Sequence, residues 1–139
     1  MELRKSIKNR RVGVILTYVS LFSIVLIFEY CNVRQWTNIL KMIEIISIVV
    51  LIVGFVFTYL KTGLWRFIHK PLKKLDEREI ALTSKSLRYA YGIFTIIVLF
   101  LLLSFAIIGT ALNVVLVVSL ILFAHILPAS IIAWTEKEV

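Results

Sequence analysis

From Tyr89 to Thr135 the chain reads YAYGIFTIIVLFLLLSFAIIGTALNVVLVVSLILFAHILPASIIAWT, 47 residues without a single Asp, Glu, Lys or Arg. As one helix, rising about 1.5 Å per residue, this run would extend about 70 Å, against a bilayer hydrocarbon core of about 30 Å. It must therefore fold back on itself. Gly109-Thr110-Ala111-Leu112-Asn113 supplies the break, with glycine and asparagine at turn-compatible positions. Two spans, about 88–108 and 111–134, follow as a tight helical hairpin.

Working outward from that hairpin, 39–60 is a second apolar stretch of spanning length, with Lys41 and Glu44 near its start, and 12–29 is a first. In lipid every backbone N–H and C=O needs an internal partner, so an open set of strands is excluded and helices follow. The fold class expected is an all-α integral membrane four-helix bundle, a single transmembrane domain over 1–139. Composition agrees: 60% of the 139 residues are hydrophobic and the mean hydropathy is +0.98, so lipid is the solvent for much of the chain. The length leaves no room for a soluble catalytic domain beside the bundle. The basic residues 4–11 followed by the apolar run 12–28 have the outline of a signal peptide. The apolar run is long for one, however, and Glu29-Tyr30-Cys31 offers no small-x-small cleavage site. The segment is expected to remain as an anchor.

Charge sets the expected orientation. Lys and Arg number 16 against 8 Asp and Glu, an excess that in a soluble protein would point to nucleic acid. Here the cations cluster before the first span and between the second and third, with Lys137 after the fourth, while Arg34 and Lys41 alone lie on the other side. The positive-inside rule then places both termini in the cytoplasm, N-in and C-in, with membrane lipid rather than nucleic acid as the partner of the basic face. Tyr30 and Trp36 at one boundary, and Tyr59, Trp65, Tyr89, Tyr91 and Trp134 at the other, give the same topology independently. With Cys31 as the one cysteine, no intramolecular disulfide is available.

The cytoplasmic link, 62–87, is the one segment long enough to carry structure outside the bilayer. Leu64, Trp65, Phe67 and Ile68 beside Arg66 and Lys70 form an interfacial stretch that ends at Pro71. Lys73, Lys74, Asp76, Glu77, Arg78 and Glu79 follow as the densest polar cluster in the chain. Asp76 and Glu79 have capping-box spacing, so a helix is expected from about Ile80 into the third span. Glu77 is placed to pair with Lys73 if the turn between them is helical. Structure alone accounts for the carboxylates. As candidate binding residues, Arg66, Lys70, Lys73, Lys74, Asp76, Glu77, Arg78 and Glu79 present a surface to a protein partner or to anionic headgroups.

Leu75-Asp76-Glu77-Arg78-Glu79-Ile80, with Ser84 and Ala90 on the way into the span, resembles the Asp-Glu-Arg motif before the third span of small four-span bacterial membrane proteins of unknown function. The resemblance covers the second half of the chain. It implies a prokaryotic plasma (inner) membrane location and carries over no catalytic residues.

Inside the spans, His125 stands out. It lies about 13 Å from the inner boundary, near mid-bilayer, where an ionisable side chain is a candidate functional residue. Three readings are open. His125 ligates haem or another cofactor, which requires a homodimer or partner subunit because the other histidine, His69, lies in the link. It relays protons or binds a quinone, although no carboxylate lies near it in any span. Or it hydrogen-bonds a hydroxyl such as Ser104, or the Ala124 carbonyl that Pro128 frees. At the other end Lys41 and Glu44, at i,i+3, are placed to pair, and Glu44 is a candidate ion or proton site. Small multidrug transporters also have four spans but need a carboxylate well inside the first, and here Glu29 sits at its end.

No Gly-x-Ser-x-Gly, His-Glu-x-x-His, Cys-x-x-Cys or glycine-rich phosphate loop occurs. The expectation is a non-enzymatic membrane protein, an accessory or regulatory subunit working through the link. The alternative is a small transporter or cofactor-binding redox subunit centred on His125.

Overall fold

A computed structural model describes residues 2–136. Four helices long and apolar enough to cross a membrane dominate it, and no strand occurs among the described residues. The protein is an all-α, multi-pass membrane protein. Helix α1 spans Glu2–Val33, α2 Asn38–Phe55, the short α3 Leu64–Ile68, α4 Glu77–Ile108 and α5 Val114–Thr135. The first and third spans belong to helices that outrun their apolar stretches. Lys8 to Arg11 before the first span and Glu77 to Arg88 before the third contain no Gly or Pro, so nothing stops the helix at the lipid boundary. Lys137, counted with the cytoplasmic cations, lies outside the described residues.

Several helix ends have a chemical cause. Thr37 caps α2, its hydroxyl accepting from the Leu40 N–H. Gly109 ends α4 in the left-handed region at φ 75°, with its N–H donating to the Phe105 carbonyl, a conformation that a side chain would oppose. Asn113 then caps α5, accepting from Leu116 N at 2.7 Å. The 109–113 segment is thus the turn the sequence required. Pro128 sits within α5, which continues past it to Thr135.

The long helices pair within two compact units, Met1–Leu64 and Trp65–Val139. In the first, α1 packs against α2. The buried positions of α1 include Arg10, Val14, Thr17, Ser20, Leu21, Ile24 and Cys31; those of α2 are Glu44 and Ser47. Spacings of three and four put each set on one stripe. In the second unit α4 packs against α5, burying Thr83, Ser86 and Ala90 on one helix and, on the other, Ser119, Ala129, Ser130 and Ala133 together with Leu116, Ile126, Leu127 and Ile132. The rings of Phe94 and Phe123 meet between them, tilted, with centroids 6.1 Å apart. Large apolar residues such as Phe22, Ile45, Phe100 and Ile107 face outward. This is the pattern of helices in lipid, where apolar burial drives no association and close approach through small and weakly polar residues does.

One irregularity was not foreseen. Beyond Phe55 the second span continues as a five-residue π segment, Val56–Leu60, in which the Lys61 N–H reaches back to the Val56 carbonyl at 2.9 Å. The widened turn lets two consecutive side chains, Thr58 and Tyr59, both be buried, at 3% and 0% exposure.

Candidate functional site

The link is ordered by a few local bonds. The Trp65 ring on α3 stacks on His69, just past the helix, at 4.3 Å, and His69 Nδ1 lies 2.8 Å from the Trp65 carbonyl. Pro71 ends this stretch, since a proline cannot extend the helix behind it. A single 3-10 turn, Leu72–Lys74, follows. Asp76 is then extended, at φ −79° and ψ 170°, and accepts from Glu79 N at 2.6 Å while its own N–H donates to Glu79 Oε2 at 3.2 Å. This is the capping box that the spacing of Asp76 and Glu79 predicts, and it starts α4 at Glu77.

Glu79 does more than cap. Lys70 Nζ reaches both of its carboxylate oxygens, at 3.1 and 2.8 Å, and so closes the link across nine residues. Arg78 on the first turn of α4 lies 3.9 Å from Glu136 just past α5, which ties the two ends of the hairpin. The expected partnership of Lys73 with Glu77 does not form. Extended Asp76 interrupts the helical turn that the pair needs, and no ion pair joins them among the described residues. Of the link residues singled out from sequence, Lys70, Asp76 and Glu79 are brought together. Arg66, Lys73, Lys74, Glu77 and Arg78 point outward, exposed. The arrangement offers a shaped, charged surface of both signs. No group of three His, Cys, Asp or Glu side chains placed to hold a metal occurs among the described residues.

Glu44 lies apart from its expected partner. Lys41 is exposed, whereas Glu44 is 9% exposed on the face of α2 turned to α1, and no ion pair joins them among the described residues. One oxygen of its carboxylate, Oε2, is buried without a hydrogen-bond partner among the described residues. Ser47, one turn on, is also buried, its hydroxyl donating to the Ile43 carbonyl at 2.9 Å. A buried polar atom without a bond is costly, which marks this position off from the other intramembrane polar residues.

His125 is exposed rather than enclosed in its hairpin. Its Nδ1 lies 2.8 Å from the Ile121 carbonyl, one turn back on the same helix. Neither expected partner is used. Ser104 donates instead to the Phe100 carbonyl at 2.7 Å, and a His side chain on a helix leans toward the N-terminal turn, which brings it to Ile121 before the backbone that Pro128 opens.

The close approach of α1 and α2 was missed from sequence. Gly13 and Thr17 on α1 face Thr58 and Gly54 respectively. A Cβ at Gly13 would collide with Thr58 Oγ1, and one at Gly54 would come within 2.9 Å of Thr17 Oγ1. The signal was present as two Gly-x-x-x-Thr spacings, 13/17 and 54/58, one on each span. Beside this crossing is a cleft of about 780 Å³, with Lys8, Asn9 and Arg10 at one end and Leu16 and Val49 toward the other.

Comparison with protein-family models, with curated proteins and with solved structures returned no match.

Proposed function

We propose that this multi-pass protein is a non-enzymatic accessory or regulatory subunit of the plasma membrane, with both termini cytoplasmic, which docks a protein partner on its 62–88 link. The observation that carries this reading is the division of labour in the link. Lys70, Asp76 and Glu79 are spent on fixing its shape, while Arg66, Lys73, Lys74 and Glu77 are left exposed around it, with Arg78 exposed beside Glu136. Ordering a loop before binding lowers the entropy cost of association. Exposed charges of both signs give a partner register and orientation more than raw affinity. The orientation rests on the cation asymmetry and the aromatic boundaries, and the choice of membrane on the Asp-Glu-Arg resemblance.

The experiment is recovery of partners from cross-linked membranes with the wild type and with a Lys73→Glu, Lys74→Glu, Glu77→Lys triple variant. All three side chains are exposed, so fold and expression are expected to persist. Loss of a specific partner in the variant supports the reading; an unchanged set of partners at equal protein level sinks it.

A second reading, a small transporter, is favoured by Glu44 more than by His125. A carboxylate oxygen held within a helix pair without a partner is a feature of ion and proton pathways. Proteoliposomes carrying Glu44→Gln test it: unchanged ion or proton flux relative to wild type removes this reading.

A further inference from the structure

The cleft on the first hairpin has a polarity that the link does not explain. One end is cationic: Lys8 and Arg10 line it, and Lys61 lies 3.9 Å above the ring of Phe57, which forms part of the wall. Away from that end the lining is apolar, with Val53 and Phe57 themselves about half exposed. Gly13, Gly54 and Thr58 lie in its lining, where the close glycine–threonine contact brings α1 and α2 together. From Lys8 to Leu16 along α1 it extends about 12 Å, the scale of an acyl chain reaching from the headgroup layer into the hydrocarbon. Lys8 and Arg10 stand where the apolar span begins, hence at headgroup level.

We infer that this α1/α2 cleft is a binding site for an anionic phospholipid, its phosphate against Lys8 and Arg10 and an acyl chain along Val53 and Phe57. Charge complementarity selects this occupant over the others. A second copy packed here in parallel would bring the same cations together, and a zwitterionic lipid, with no net charge, would gain less from exposed Lys8 than an anionic one. The site lies wholly within 1–64 and does not depend on the link reading. Its consequence is a tie between the lipid composition of one leaflet and the packing of the first hairpin, because the glycines that line the cleft are the ones that let α1 and α2 meet.

The test is native mass spectrometry of the full chain in detergent, titrated with phosphatidylglycerol or phosphatidylcholine of identical acyl chains. One phosphatidylglycerol is expected to be retained, about tenfold or more in preference to phosphatidylcholine, on the basis of roughly fivefold per surface cation. Lys8→Gln, at an exposed position, is expected to weaken phosphatidylglycerol about fivefold. Val53→Phe, which fills the wall, is expected to weaken both lipids, and Lys73→Gln with Lys74→Gln in the link to change neither. Helicity and elution volume confirm that each variant is folded. Equal retention of the two lipids overturns the inference. So does loss of lipid in the link variant with none in Lys8→Gln, displacement by inorganic phosphate alone, or a lipid-free dimer in place of the lipid-bound chain.

Discussion

Gly13 on α1 faces Thr58 in the π segment, and one turn further along α1 Thr17 faces Gly54: a glycine and a threonine meet twice, in opposite order. Each threonine fills the space that the opposing glycine leaves. Thr17 is fully buried, and its hydroxyl donates to the Gly13 carbonyl at 2.8 Å, so the two contacts share a residue as well as an axis.

Gly13→Ala should therefore destabilise the first hairpin although alanine is the better helix former. The propensity gain is about 1 kcal/mol. Overpacking costs about 1–3 kcal/mol, and the clash is with a side chain on a rigid span, Thr58 Cβ as well as Oγ1. Thr58→Ala in the same chain should restore much of the loss by removing the obstructing oxygen. Reversible unfolding in mixed micelles, run as a double-mutant cycle, reads this out. Equal loss in Gly13→Ala with and without Thr58→Ala would mean the contact is not the cause.

In the link, Glu79 should matter more than Lys70, although they form one ion pair. The pair is partly exposed, with side chains 34% and 26% accessible, and by itself contributes on the order of 0.5 kcal/mol. Glu79 also closes the capping box with Asp76. Lys70→Gln and Glu79→Gln should then behave alike, because glutamine can still accept from the Asp76 N–H. Glu79→Ala should lose more, and Asp76→Ala about 1 kcal/mol of local helix stability. Hydrogen exchange at residues 77–80 measures the fraying directly. Faster exchange in Lys70→Gln than in Asp76→Ala would reverse the ranking.

What the sequence made legible follows the range of the interactions. The hairpin turn at 109–113, the cap at Asp76 and the four spans are set by residues within a few positions of one another, and lipid allows few alternatives to a helix. Glu77 with Lys73 failed for a local reason as well: the capping geometry of Asp76 consumes the turn that the pair would need. Lys70 with Glu79 and Arg78 with Glu136 are pairings across a fold, and spacing does not encode them. The facing of Gly13 by Thr58 required knowing which stripe of α1 meets which stripe of α2. Hydropathy says little about that in spans that are apolar on nearly every side, and the π segment shifts the stripe again.

His125 illustrates the same limit. Read from depth alone it belongs inside a bundle, yet it is exposed and its hydrogen bond among the described residues is to Ile121 on its own helix. A carbonyl only accepts, so Nδ1 carries the proton and Nε2 is the nitrogen left for any ligand. His125→Leu should change the stability of the second hairpin by less than about 0.5 kcal/mol, as surface substitutions do. A loss well beyond that, measured by the same micellar unfolding, would show that the imidazole is packed against something in the folded membrane protein.

Glu44 should give the opposite result. Its carboxylate is buried in the α1/α2 seam with Oε2 lacking a hydrogen-bond partner among the described residues, so it weighs against the packing around it. Replacing a poorly satisfied buried polar group with an apolar one of similar size is commonly stabilising. Glu44→Leu should raise the stability of the first hairpin by about 1–2 kcal/mol, with Glu44→Gln intermediate because the amide remains polar. Both are read as shifts of the unfolding midpoint at constant lipid. A stabilised Glu44→Leu that loses a cellular phenotype would identify the carboxylate as retained for function at the expense of stability, the trade-off expected of ionisable groups at membrane depth. A destabilised one would show that Glu44 bonds within the seam, and would remove the structural argument for transport.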